Sequence, residues 1–174
     1  YTHGWEGNVR PPSGGGNGSY SPTWELVKSF PMANGKLSTE PGSGFDSIYF
    51  WQNRDPRFYA TVGYNGSEWE MTGRDETNLW CFMHVKETNR VPATGFYNKK
   101  ATDPSVGRED VSQTSTSWIE LRYAEVLLNF AECANELEKT AEALEKIRSI
   151  RERAGIESGG GEYGIPNTVS QNDL

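Results

Sequence analysis

The chain has 174 residues and a formal net charge of -7, with 34% hydrophobic and 12% aromatic residues. A mean hydropathy of -0.73 and the lack of any apolar run near ~20 residues exclude a membrane-spanning helix, and an isoelectric point near 4.9 argues against nucleic acid, which is bound through basic surface. Leu, Ile, Val and Phe together number only 31, close to the roughly one-fifth share that separates folded from disordered chains. Disordered chains, however, are poor in aromatics. Aromatic rings must therefore supply core that aliphatics do not.

The chain opens Tyr1-Thr2-His3-Gly4-Trp5 without a Met, a basic segment or an apolar leader, and reads as processed or excised. Fourteen of its 19 Gly precede position 117, and residues 117–154 contain neither Gly nor Pro. This contrast predicts a loop-rich, aromatic-rich segment (1–116), a helical hairpin (117–156) and a Gly-rich tail (157–174).

In the first segment, Ser13–Ser19 reads as a flexible surface loop, because no Lys-Ser/Thr ending makes it a phosphate cradle. Ser21-Pro22 supplies an N-cap and first helical residue for a short helix with Leu26, Val27 and Phe30 inward, stopped by Pro31. Asn34-Gly35 and Asn65-Gly66 predict type I′ hairpin turns. Asp55-Pro56 opens a helical turn, and Phe58–Tyr64, Leu79–Lys86 and Thr94–Lys99 read as short strands.

The second segment is the most regular. Ala124, Leu127, Leu128, Ala131 and Ala134 recur at helical spacing, and Val126, Phe130, Cys133 and Leu137 line an adjacent face. So wide an apolar surface predicts burial on more than one side. Its start is open: Ser117-x-x-Glu120 fits a capping box, and Trp118–Arg122 fits an extended entry. The next helix has Thr140 as its N-cap and Ala143, Leu144, Ile147, Ile150 and Ala154 as its inner stripe. Gly155 is placed to end it in the left-handed conformation, with Ile156 folding back. About three linking residues make the two helices antiparallel neighbours.

Chemistry-bearing patterns are sparse. Cys81 and Cys133 are too few for a disulfide scaffold and badly spaced for zinc; Cys133 reads as a small buried residue. His3 and His84 have no partner at triad or metal spacing, and no cofactor or metal is expected. In Glu68-Trp69-Glu70 an extended backbone puts both carboxylates on one face, about 6.5–7 Å apart at Cα. Glycosidases separate their two carboxyls by ~5–9.5 Å, which keeps a glycoside hydrolase open as an alternative. Catalytic carboxylates flank a bond, however, whereas these stand side by side. Five of the six Trp lie before residue 117. Trp joins a flat apolar face to a polar edge, a shape that stacks on sugar rings. Trp5, Trp51, Trp69 and Trp80 are the candidate glycan contacts, with Tyr49 and Asn8 as additional ones.

Four ordered stretches carry a resemblance. They are 22-PTWELVKSF-30 with 32-MANG-35, 54-RDPRFYAT-61, 94-TGFY-97 with Lys99, and 122-RYAEVLLNFAE-132 followed by 150-IRERAG-155. Together they resemble the SusD/RagB family, glycan-binding outer-membrane lipoproteins of Bacteroidetes. The resemblance implies a mainly α protein in which a tetratricopeptide-like helical hairpin packs against a loop-rich, aromatic-rich segment with a few short strands. It implies a non-catalytic, surface-exposed receptor at the cell outer membrane. Such a receptor takes up oligosaccharide or polysaccharide and delivers it to a SusC-like TonB-dependent transporter. Membrane association would run through a lipid anchor absent from this chain, which also lacks an N-terminal half and a C-terminal stretch of the family pattern. A tetratricopeptide-type protein-interaction module is the other alternative. The helix motif is a packing signature, so Glu125, Asn129 and Glu132 are structural in this reading.

Overall fold

The computed structural model describes residues 4–81, 87, 92–160, 162–166 and 169–173. The regular elements are α1 (Trp5–Val9), α2 (Trp24–Ser29), α3 (Pro56–Thr61), β1 (Val62–Gly63), β2 (Tyr97–Asn98), α4 (Tyr123–Glu136) and α5 (Thr140–Arg153), with 3-10 turns at Pro12–Gly14 and Gln171–Asp173. The fold is thus mainly helical, and β1 and β2 pair antiparallel with Val62 opposite Asn98 and Gly63 opposite Tyr97. Two compact units form: Tyr1–Val27 with Phe58–Trp118, and Lys28–Arg57 with Ile119–Leu174. The segment 28–57 thus belongs with the hairpin.

The first unit has a core of Trp69, Met71, Leu79, Cys81 and Tyr97, all at most 5% exposed. Rings and sulfur stand where aliphatics usually do, as the composition requires. The Gly-rich run is not the open loop expected of it. Ser13, Gly14 and Gly18 are buried, and the run packs backbone against backbone. A Cβ at Gly15 would meet Arg108 O at 2.1 Å, and one at Gly16 would meet Arg10 O at 2.2 Å. Close approach, rather than flexibility, explains glycine here.

The stretch Phe58–Tyr64 is α3 followed by β1, not one strand. Asp55, fully buried, caps the helix by accepting from Arg57 N (2.8 Å) and pairs with the Arg57 guanidinium, and this cap overrides the β tendency of the aromatic run. In the C-terminal strand candidate only Tyr97–Asn98 is extended in a ladder; Phe82–Lys86, including His84, lies outside the described residues, as does His3. The helix expected from Ser21-Pro22 begins later, with Thr23 Oγ1 accepting from Leu26 N (3.2 Å). The shift turns Leu26 outward, 46% exposed, and leaves Val27 fully buried. At the Asn-Gly turns only the glycines have positive φ (Gly35 82°, Gly66 88°), so type I′ geometry is not formed.

In the second unit α4 and α5 close on a seam of small residues, Ala131, Ala134 and Ala143, with Ile147 packed beside it. Small side chains let the two backbones approach. Arg122 is extended (φ -119°, ψ 148°), which selects the extended entry over the capping box. Helix α5 takes Lys139, not Thr140, as its N-cap. Its end is a Schellman motif: Gly155 N donates to Glu152 O (2.9 Å) and Ile156 N to Arg151 O (3.2 Å), with Gly155 at φ 80°. Arg151 donates from Nε to Tyr163 O (2.7 Å) and from Nη2 to Gly35 O, and Glu157 N donates to Ala33 O (2.8 Å). These bonds fasten the hairpin to segment 28–57. The second apolar face of α4 is not covered as expected. Val126, Phe130 and Leu137 are 45%, 45% and 70% exposed, and Cys133 is exposed with them. The alanine seam buries one stripe, and the other stays largely open, with Lys146 Nζ 5.9 Å from the Phe130 ring centroid.

Candidate functional site

Three rings meet on the surface of the first unit. Trp5 lies 6.2 Å from Tyr20 (interplanar angle 42°) and 5.4 Å from Trp118 (74°), measured between ring centroids. Tyr20 is 54% and Trp118 62% exposed, so the group presents apolar faces that folding has not buried. The edge of Trp5 is anchored, because its Nε1 donates to Lys100 O (3.2 Å).

Main-chain bonds fix the segments that carry these rings. Tyr20 N donates to Asn8 O (3.0 Å) and Asn17 N to Gly7 O (2.8 Å), which ties the Gly-rich run along α1. Below them Glu6 and Arg10, one turn apart, form a buried ion pair. Glu6 Oε1 also accepts from Asp103 N (2.6 Å), and Arg10 donates to Asp103 O and Val106 O (3.0 Å). Ser105 donates through N and Oγ to Asp103 Oδ1 (2.9 and 2.7 Å). Those bonds hold the Asp103 carboxyl below the usual carboxylate range. The platform is preformed, and two amides edge it: Asn8, whose Nδ2 donates to Gly4 O (2.9 Å), and Asn17, whose Nδ2 reaches Asn8 Oδ1 (3.4 Å). Each amide nitrogen keeps a second N–H for a ligand hydroxyl.

The six residues expected from the sequence are distributed unequally. Trp5 and Asn8 belong to this platform. Tyr49 and Trp51 form a separate aromatic group in the second unit, 5.8 Å apart and edge-on, with Phe50 5.1 Å from Trp51. Asp46 Oδ1 accepts from Ile48 N (2.7 Å) and Tyr49 N (3.2 Å), which turns Ile48 and Tyr49 outward at 73% and 50% exposure. Trp80 is 37% exposed, beside the Gly66 turn. Trp69 faces the other way. The extended Glu68-Trp69-Glu70 stretch pairs with Thr77–Leu79 through Trp69 N to Thr77 O and Leu79 N to Ser67 O (both 2.8 Å). Alternation sends the two glutamates to solvent and the indole into the core at 4% exposure. A ring so enclosed cannot stack on a sugar. Tyr20 and Trp118 are the residues that sequence reasoning missed. The first follows a run read as a flexible loop, and the second lies in a stretch left open between a capping box and an extended entry.

A sequence model of the SusD family matches residues 2–173. The chain belongs to the SusD family. Solved structures agree with the assignment. A protein designated BT4246 superposes with a TM-score of 0.68 at 26% identity, over 91% of this chain and 31% of its own. A SusD-like protein from Bacteroides fragilis gives 0.61 at 28% identity, over 82% of this chain and 30% of its own. A SusD-like carbohydrate-binding protein from the same organism gives 0.61 at 26% identity, over 89% and 31%. The chain thus spans about a third of the length of these SusD-family relatives. No curated protein matches the sequence.

Proposed function

We propose that this chain is the glycan-capturing part of a SusD-type receptor, with Trp5, Tyr20 and Trp118 as the stacking surface and Asn8 and Asn17 as hydrogen-bonding edges. The observation that carries the reading is the exposed three-ring platform on a preformed base. Aromatic area with few rotatable bonds is ordered at low entropic cost on binding, and exposed rings grouped together mark a ligand surface more than scattered ones do. The Tyr49–Trp51 group and Trp80 supply further stacking surface in this reading. Family membership and the carbohydrate-binding Bacteroides relative support the ligand class.

In the same reading the protein is non-catalytic. It sits at the cell outer membrane by a lipid anchor and hands oligosaccharide to a SusC-like TonB-dependent transporter. Glu68 and Glu70 stand on one face of one extended stretch, an arrangement that does not flank a glycosidic bond. Calorimetric titration with a panel of soluble polysaccharides tests the ligand class. Incubation with whichever glycan binds, followed by reducing-end measurement, tests catalysis. Release of sugar that stops in Glu68→Gln or Glu70→Gln would replace this reading with the hydrolase alternative.

A further inference from the structure

The first unit also holds a pocket that the platform does not use. Its volume is about 450 Å³, inside the range of small-ligand sites. Glu68, Glu70 and Lys99 supply its charge, Thr77 and Thr102 its hydroxyls, and Ala60 and Pro104 its apolar surface, with Trp69 beneath. Paired backbones build these walls. Lys99 follows β2 and its N donates to Thr61 O (2.7 Å), at the end of α3, while Glu68 stands opposite Asn78 and Trp69 opposite Thr77 across the bonded Ser67–Trp69 and Thr77–Leu79 stretches.

Lys99 turns this pair of acids into a mixed site. Its Nζ donates to Glu68 O (2.8 Å) and lies 6.0 Å from the Trp69 ring centroid. Two of its three N–H bonds remain for a ligand. Desolvation lowers its pKa, and the Glu68 charge works against that shift. Among the described residues neither the Glu68 nor the Glu70 carboxylate accepts a hydrogen bond from a protein group. Both remain open to accept pairs of hydroxyls.

We infer that this pocket is a second saccharide subsite, taking one neutral sugar unit end-on, apart from the stacking platform. A pyranose has an apolar C–H face for Ala60 and Pro104. Its vicinal hydroxyls donate to the carboxylates and accept from Lys99 and the threonines. Two carboxylates against one ammonium disfavour uronic or sulfated sugars. The inference rests on the glycan-binding reading for its ligand class.

The test is amide-detected NMR of the 15N-labelled chain. The probes are the methyl glycosides of glucose, galactose, mannose, xylose and N-acetylglucosamine, with methyl glucuronoside as the acidic comparison. Each is added to about 50 mM, enough to populate a site of millimolar affinity. The expected result is saturable shifts at Thr77, Lys99 and Thr102 with at least one neutral glycoside and none with the glucuronoside. Glu70→Ala, at an exposed position, should weaken that binding about tenfold, and Trp118→Ala should leave it unchanged. Absence of saturable shifts with all five neutral probes would overturn the inference, as would equal or stronger binding of the glucuronoside. Loss of the shifts in Trp118→Ala would also overturn it, because one site would then account for both. Failure of the platform reading is separate: it is seen as unchanged polysaccharide affinity in both Trp118→Ala and Tyr20→Ala.

Discussion

Glu6 on α1 and Arg10 at the C-cap of that helix face each other one turn apart, both withdrawn from solvent, and between them they bind the main chain of Asp103 and Val106. A pair so placed is a structural clamp under the residues that carry Trp5 and Asn8. Breaking a buried pair by removing one partner leaves the other charge uncompensated and costs about 3–5 kcal/mol. Arg10→Ala should therefore lower stability by that order. A shape-matched double change, Glu6→Gln with Arg10→Met, should cost less than the two single changes added together. Urea unfolding followed by Trp fluorescence reads both.

The Gly-rich run offers a paired comparison. Gly16→Ala drives a methyl into the Arg10 carbonyl, where a Cβ has only 2.2 Å. Overpacking of this kind costs about 1–3 kcal/mol. Gly7 sits inside α1, and a Cβ there would have nothing within 4 Å, so Gly7→Ala should stabilise by about 0.5–1 kcal/mol. A loose surface loop would instead tolerate both changes equally, and thermal midpoints of the two variants distinguish the cases.

The two cysteines should differ in reactivity. Cys133 is exposed and Cys81 buried, and burial pushes the Cys81 thiol up to about 11. One thiol should react rapidly with a disulfide reagent at neutral pH in the native chain, and two after unfolding. Because the folded-state value is raised, the thiol form stabilises the fold up to the ordinary value near 9.0. That contribution is lost as pH rises toward about 11. Cys81→Ala should flatten the fall in stability over this window, leaving the part due to Tyr97, whose phenol burial also raises.

On the hairpin, position decides cost. Phe130→Ala and Leu137→Ala remove side chains that are 45% and 70% exposed, and each should cost under about 1 kcal/mol in this chain. Ala134→Leu, at a seam position 4% exposed, should cost about 1–3 kcal/mol by forcing the helices apart. Thermal denaturation of the three variants gives the order directly.

These cases show where sequence was a sufficient guide. The α4–α5 hairpin and its Gly155 terminus were legible because their signals are local: helical spacing, absence of Gly and Pro, and one left-handed glycine. The outward Glu68 and Glu70 followed from strand alternation, and the same alternation, carried one residue further, buries Trp69. The Asp55 cap was legible, but how far its helix would run against β-favouring Phe58 and Tyr59 was not. The exposed face of α4 and the platform itself depend on partners distant in sequence. Trp118 reaches Trp5 only through tertiary structure, and Tyr20 is positioned by a glycine run whose close packing leaves no periodic trace.

The most direct test of the three-ring platform is calorimetric titration of the intact chain, Trp118→Ala and Tyr20→Ala with the polysaccharide that binds most tightly. Both rings are more than half exposed, so loss of folding does not confuse the comparison. Trp118→Ala should weaken binding at least about tenfold, or about 1.4 kcal/mol, and Tyr20→Ala should weaken it in the same direction. Unchanged affinity in both variants would contradict stacking at this platform.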